Sequence, residues 1–196
     1  MRHSDQNSTL PAGPALRCGW VRLLLGCAAL AWSGQPCAAA SPRTGDIAFT
    51  AAVGVHGALG DDDFGEQAGP SAALDFHWTA RNSLRGTLGL LQLPAKEDSR
   101  RGSITTLYAT VNVSHNWFGG RLFPFVSGGV GLYGMEEDVA PDGDRDHLAL
   151  GINGGGGVEV RLGDAWTLRL EGLVHVLTGE DPSRLAAASL GLKYYF

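Results

Sequence analysis

The chain has 196 residues, enough for one domain, and a formal net charge of −5, so it lacks the basic surplus that nucleic-acid binding requires. Glycine supplies 29 residues, against roughly 7 % in average usage, which argues against a helical globule and suits strands that bend or crowd. No run reaches the roughly 18 apolar residues of a transmembrane helix, and the balanced hydropathy is also what an alternating membrane barrel averages to.

The first forty residues read as a cleaved signal peptide. Residues 23–32, LLLGCAALAW, form the longest apolar run, too short to span a bilayer and right for the apolar core of an export signal. Arg17 and Arg22 precede it, and Ala38, Ala39 and Ala40 supply small residues for cleavage before Ser41. The expected division is therefore 1–40 signal peptide and 41–196 barrel domain. Cys18, Cys27 and Cys37 all fall in the leader, so the exported chain is expected to use neither disulfides nor a thiol nucleophile. Leu24-Leu25-Gly26-Cys27 resembles a lipoprotein box, but the apolar run continues past the cysteine. From residue 41 onward, twelve basic and nineteen acidic side chains leave a net charge of −7.

Eight segments with period-2 alternation follow, at about 45–58, 71–80, 84–93, 103–117, 122–134, 147–162, 166–177 and 185–196. Each approaches the roughly 9–11 residues that a tilted strand needs to cross a membrane. Their connections alternate in length. Arg81-Asn82-Ser83, residues 118–121 and Gly163-Asp164-Ala165 are tight, whereas 59–70, 94–102, 135–146 and 178–184 are long and polar. Short periplasmic turns alternating with long external loops predict an all-β, eight-stranded antiparallel up-and-down transmembrane β-barrel with both termini on the periplasmic side.

Alternation alone does not say which face looks outward. One face carries Ile47, Phe49, Val53, Leu74, Phe76, Leu88, Val111, Val130, Leu150 and their like; the other carries Ala48, Thr50, Ala52, Gly54, Ala73, Gly89 and Gly155. The second set is too poor in charge for a surface in water and suits a narrow lumen. Large aromatics on the apolar face gather at one end: Phe49, Trp78, Trp117, Trp166, Tyr194 and Phe196. They are expected to form a periplasmic interfacial girdle, with Tyr133 and His56 in a thin external one. The inward face also carries Asp75, His77, Arg85, Glu159, Arg161, Arg169, Glu171, His175 and Lys193. Unpaired charge in a closed tube is costly, so Asp75, Arg85, Glu159, Arg161, Arg169, Glu171 and Lys193 are expected to form a lumen ionic network that fills the interior. A gated proton or ion path is the functional alternative, disfavoured because eight strands leave a bore that side chains can fill.

The last segment, Ser189-Leu190-Gly191-Leu192-Lys193-Tyr194-Tyr195-Phe196, ends on an aromatic residue. With Ser189, Gly191, Tyr194 and Phe196 at its defining positions, it resembles the C-terminal insertion signal of bacterial outer-membrane β-barrels. Residues 150–172, LGINGGGGVEVRLGDAWTLRLEG, and 124–134, PFVSGGVGLYG, resemble the outer membrane protein A-like and opacity-type small barrels. The resemblance implies an integral protein of the Gram-negative outer membrane, in contact with outer-membrane lipid and lipopolysaccharide. It also implies handling by the barrel-assembly machinery through the C-terminal strand, and external loops that host interactions.

Partners are therefore sought in the loops. Asp61, Asp62, Asp63 and Glu66 mark the first; Glu136, Glu137, Asp138, Asp142, Asp144 and Asp146 mark the third. The run 142–146 lacks the Gly and Glu of an EF-hand, having His147 and Asn153 at those places, so no metal site is expected. Nor do catalytic residues converge: Ser114 and His115 point to opposite faces by parity, and His175, with Thr178 and Glu180 nearby, points inward. The expectation is a structural or surface-interaction protein with no cofactor, not an enzyme. A lipid A-modifying acyl hydrolase or transferase and a narrow pore are the alternatives. The external ligand or host surface is not named by the sequence.

Overall fold

The computed structural model describes residues 42–60, 65–94, 103–117, 120–137, 145–178 and 184–196. The expected signal peptide with its cleavage site, and Asp61, Asp62, Asp63, Asp138, Asp142, Asp144 and Glu180, lie outside the described residues. Eight strands follow one another: β1 (Ile47–Ala58), β2 (Gln67–His77), β3 (Asn82–Leu93), β4 (Ile104–Asn116), β5 (Leu122–Glu137), β6 (Arg145–Arg161), β7 (Trp166–Leu177) and β8 (Arg184–Tyr195). Every neighbour pair is antiparallel, and β1 pairs with β8 to close the barrel. Closure removes the sheet edges over the membrane-crossing height, as a strand-built membrane protein must. The tight turn after β4 carries Gly120 at φ +73°, a left-handed conformation that glycine adopts without strain.

Boundaries differ from expectation in instructive places. The second strand starts at Gln67 and ends at His77, not 71–80, because Pro70 does not interrupt it. His77 exchanges main-chain bonds with the β1 side, donating to the Asp46 carbonyl and accepting from the Gly45 N–H. By alternation the Pro70 nitrogen therefore faces β3, on the side where the β2–β3 register stops at Ser71↔Gly89. The missing N–H leaves the β1–β2 ladder whole through Val53↔Pro70. The fifth and sixth strands run to 16 and 17 residues, so parts of the expected third loop are strand. They rise together as a tall hairpin on one side of the rim.

The alternation resolves into two surfaces. Ile47, Val53, Leu74, Leu88, Leu107, Val130, Leu150, Ile152 and Leu190 are exposed on the outside, while Asp75, Arg85, Glu159, Arg169, Glu171 and Lys193 are buried inside. This inverts a globular protein. A continuous apolar belt with the ionisable side chains hidden is stable only where the surrounding solvent is hydrocarbon.

Candidate functional site

The buried interior has two zones of different chemistry. Near the periplasmic end, strands β2, β3, β6, β7 and β8 bring three carboxylates and three cations together. Arg85 pairs with Asp75 at 3.0 Å. Arg169 pairs with Glu159 at 2.5 Å and with Glu171 at 2.7 Å. Lys193 lies 3.1 Å from Glu159 and 3.6 Å from Asp75, tying the last strand to β6 and β2. Formal charge within the six cancels, so each ion gains compensation for the water it has lost. The Arg169 guanidinium also stacks over the Phe125 ring at 3.6 Å, a cation–π contact on its remaining face.

Arg161 stands outside this cluster, contrary to expectation. Its cross-strand partner is Thr167, not a carboxylate. The guanidinium turns to the β6–β7 turn and donates to the carbonyls of Gly163 and Asp164 at 3.3 and 2.9 Å, with the Tyr195 ring 5.0 Å away. It holds the turn and leaves Arg169 to bridge both glutamates.

Above the ions the interior turns apolar. Leu91, Leu93, Ile104, Tyr108, Tyr133, Leu177 and Leu185 form one buried cluster toward the external end. Tyr108 and Tyr133 stack at 6.2 Å, and the Tyr133 hydroxyl and the Nδ1 of His175 lie 2.8 Å apart in a hydrogen bond. Tyr133 and His56 are therefore lumen residues, not members of an external girdle. Tyr133 has the parity of Phe125 and Ser127, both buried, and His56 that of Thr50 and Gly54. The signal was present in the alternation of their own strands. Leu91 and Leu93 carry no such signal, since Leu90 beside them faces lipid and the period-2 contrast vanishes.

Between the zones a cavity of about 30 Å³ is lined by His56, Arg85, Tyr108, Asn112, Glu171 and His175 among others, which admits one or two waters. Glycines on β6 let it approach the β7 backbone closely. A Cβ on Gly157 would lie 1.9 Å from the Leu170 carbonyl oxygen, and one on Gly155 would lie 2.0 Å from that of Gly172.

Outside, Phe49, Trp78, Trp117, Trp166 and Phe196 are exposed at the periplasmic end. Tyr194 packs between Trp166 at 4.8 Å and Phe196 at 5.2 Å. Ser189 and Gly191 face β1 as partners of Gly54 and Ala52, where added bulk on Gly191 would meet Ala52 and Thr50 side chains at 2.9 Å. His115 lies on the outer wall, hydrogen-bonded to Asn82 at 2.7 Å and edge-on to Trp117, whereas Ser114 is buried inside. His175 is enclosed with Tyr133, so the two histidines have no surface in common.

No protein-family model matches the chain, and no curated protein matches it. Solved structures do match. The N-terminal β-barrel domain of OprF from Pseudomonas aeruginosa aligns over 79 % of this chain and 100 % of its own, with TM-score 0.58 and 13 % identity. Neisserial surface protein A aligns over 77 % and 96 %, with TM-score 0.59 and 10 % identity. The chain has the fold of the small outer-membrane β-barrels. Ail, the attachment invasion locus protein of Yersinia pestis, shares it at TM-score 0.53 and 11 % identity, over 79 % of this chain and 100 % of that one. A membrane-spanning barrel is also what the apolar belt and ionic lumen require physically.

Proposed function

We propose that this barrel is a closed, non-conducting protein of the outer membrane that acts as a structural or surface-interaction element through its external rim. The observation that carries the proposal is the filled interior: an ionic cluster at one end, an apolar plug at the other, and between them a cavity of about 30 Å³. A narrow pore would need a continuous polar path, and the plug of Leu91, Leu93, Ile104 and Leu185 interrupts it. An acyl hydrolase or transferase would need a nucleophile and base converging where lipid can reach, yet Ser114 and His175 point inward and His115 is engaged with Asn82. The names of two fold neighbours, a surface protein and an attachment protein, fit a role at the cell exterior.

Reconstitution in planar bilayers tests the seal. The intact barrel is expected to give no stable conductance steps at neutral pH, and reproducible steps would replace the surface role with a pore. Mass spectrometry of lipid A from cells with and without the protein is expected to show one pattern; a change in acylation would establish the enzyme.

Two partners follow from the same proposal. The aromatics at the periplasmic end anchor the barrel in lipid headgroups, and β8 presents Tyr194 and Phe196 to the assembly machinery. Phe196→Ala is expected to lower the folded outer-membrane fraction several-fold, measured as the fast-migrating unboiled band on gels. An unchanged band would remove Phe196 from that role.

A further inference from the structure

The outer wall carries one polar device that neither the ionic lumen nor the external rim uses. His115 faces outward on β4, and its outward neighbours Leu84, Val113, Val126 and Trp117 are exposed and apolar. An ionisable side chain on a lipid-facing wall is costly unless something answers it, which makes it a mark of function.

The imidazole is held in a fixed pose. Thr79 Oγ1 accepts from the main-chain N–H groups of Arg81 and Asn82 at 3.2 and 2.9 Å, and from the Asn82 side-chain nitrogen at 3.0 Å. That turns the Asn82 side-chain oxygen to Nδ1 of His115, 2.7 Å away. An amide oxygen only accepts, so Nδ1 carries the proton and donates it. Nε2 therefore bears a hydrogen only when the ring is an imidazolium. Trp117 packs against the ring at 4.9 Å, with 76° between the planes.

The charge around this ring has one sign. Residues 78–84 and 115–123, which hold the β2–β3 and β4–β5 turns, contain Arg81 and Arg121 and no carboxylate. Both arginines are exposed. The Arg81 carbonyl accepts from the Asn116 N–H at 2.8 Å, which sets its turn directly beside the end of β4. The carboxylates of the other periplasmic turns lie elsewhere: Asp46 precedes β1, where it accepts from the Arg43 N–H, and Asp164 follows β6. A positive field at Nε2 repels a headgroup ammonium and attracts an anion. Trp78 and Trp117, both exposed, mark the depth of the headgroups, so the anion that this position meets is a lipid phosphate.

We propose that the periplasmic end of the β3–β4 wall binds the headgroup of an anionic phospholipid, its phosphate accepting from Nε2 of His115 in the field of Arg81 and Arg121. Asn82 and Thr79 are positioning residues that aim the ring. Trp117 gives the lipid an apolar wall beside its headgroup. The site is independent of the external surface role and is tested separately from it.

Native mass spectrometry of the folded barrel, released from nanodiscs of equal phosphatidylglycerol, phosphatidylethanolamine and phosphatidylcholine, reads the preference. Phosphatidylglycerol is expected to be retained about fivefold over the other two, the scale of one cationic contact with an anionic lipid. His115→Phe keeps a ring against Trp117 and removes Nε2. It is expected to bring the preference below about twofold, half or less of that single-contact scale, with unboiled gel migration unchanged. In uncharged detergent, short-chain phosphatidylglycerol should move the His115 Nε2 resonance toward its imidazolium position. Inorganic phosphate at the same concentration should not, because it has no acyl chains to hold it at the wall. Should His115→Phe fail to fold, the resonance decides alone. Equal retention of the three lipids, a preference for phosphatidylethanolamine, or a preference unchanged by His115→Phe would each overturn the site. So would a resonance that ignores the lipid or follows inorganic phosphate equally.

Discussion

Arg169→Met is expected to destabilise the barrel more than any other single charge removal, by about 3–5 kcal/mol, the range for stripping one partner from a buried ionic group. Arg169 is the only cation in the cluster that compensates two glutamates at close range, Glu159 and Glu171, and it alone covers the Phe125 ring. Methionine approximates the length of the aliphatic stem, so lost packing contributes little and the loss is electrostatic. Glu159 retains Lys193 at 3.1 Å. Glu171 is left with the Ser127 hydroxyl, which donates to it at 3.4 Å. Glu171→Gln in the Arg169→Met background removes the charge left uncompensated and is expected to restore part of the stability. Urea unfolding midpoints in lipid vesicles read both effects. A shift below about 1 kcal/mol for Arg169→Met, the scale of an exposed pair, would mean that water reaches the cluster freely and the seal is absent.

Gly157→Ala is the second large effect. Its new Cβ would lie 1.9 Å from the Leu170 carbonyl oxygen and 2.9 Å from the carbonyl carbon. These are backbone atoms of a hydrogen-bonded neighbour, with no rotamer to move. Relief requires β6 and β7 to separate, so the cost lies at or above the upper end of the roughly 1–3 kcal/mol of ordinary overpacking. The fast-migrating unboiled band is expected to disappear. Gly154→Ala is the internal control. Three residues away on the lipid-facing side, its Cβ meets nothing nearer than the Ser127 carbonyl oxygen at 3.9 Å, and the band should persist with stability within about 0.5 kcal/mol of wild type. Equal behaviour of the two variants would show that the glycine run 154–157 reflects strand flexibility, not the close approach of β6 to β7.

Much of this architecture was legible in the sequence because one periodicity carries both strand and environment. Eight alternating segments with tight and long connections in turn fixed strand number, order and orientation. The poverty of charge on the small-residue face decided which side met lipid. Pairing partners inside the tube were only partly legible. The tight turn Gly163-Asp164-Ala165 sets Glu159 opposite Arg169, but whether Arg161 joins them depends on the turn carbonyls it finds at 2.9–3.3 Å. The apolar plug was missed for a different reason. Leu90 and Leu91 are consecutive apolar residues on opposite faces, and without contrast between faces the period-2 signal carries no information. The second strand begins at Gln67 and not at 71, running through Pro70, because only the β3 side of its ladder ends there. The greater length of β5 and β6, 16 and 17 residues beside 12 in β7, is set by register and is displayed by no local pattern.

The outward direction of the apolar face is tested most directly by quenching of the tryptophans in lipid. From residue 41 onward these are Trp78, Trp117 and Trp166, all exposed on the outer wall at the periplasmic end. In vesicles of lipids brominated near the headgroup end of the acyl chains, their fluorescence is expected to fall strongly, while aqueous iodide quenches it little. Fluorescence unaffected by brominated lipid would contradict the account, because it would place the tryptophans out of lipid contact and the apolar face on the inside.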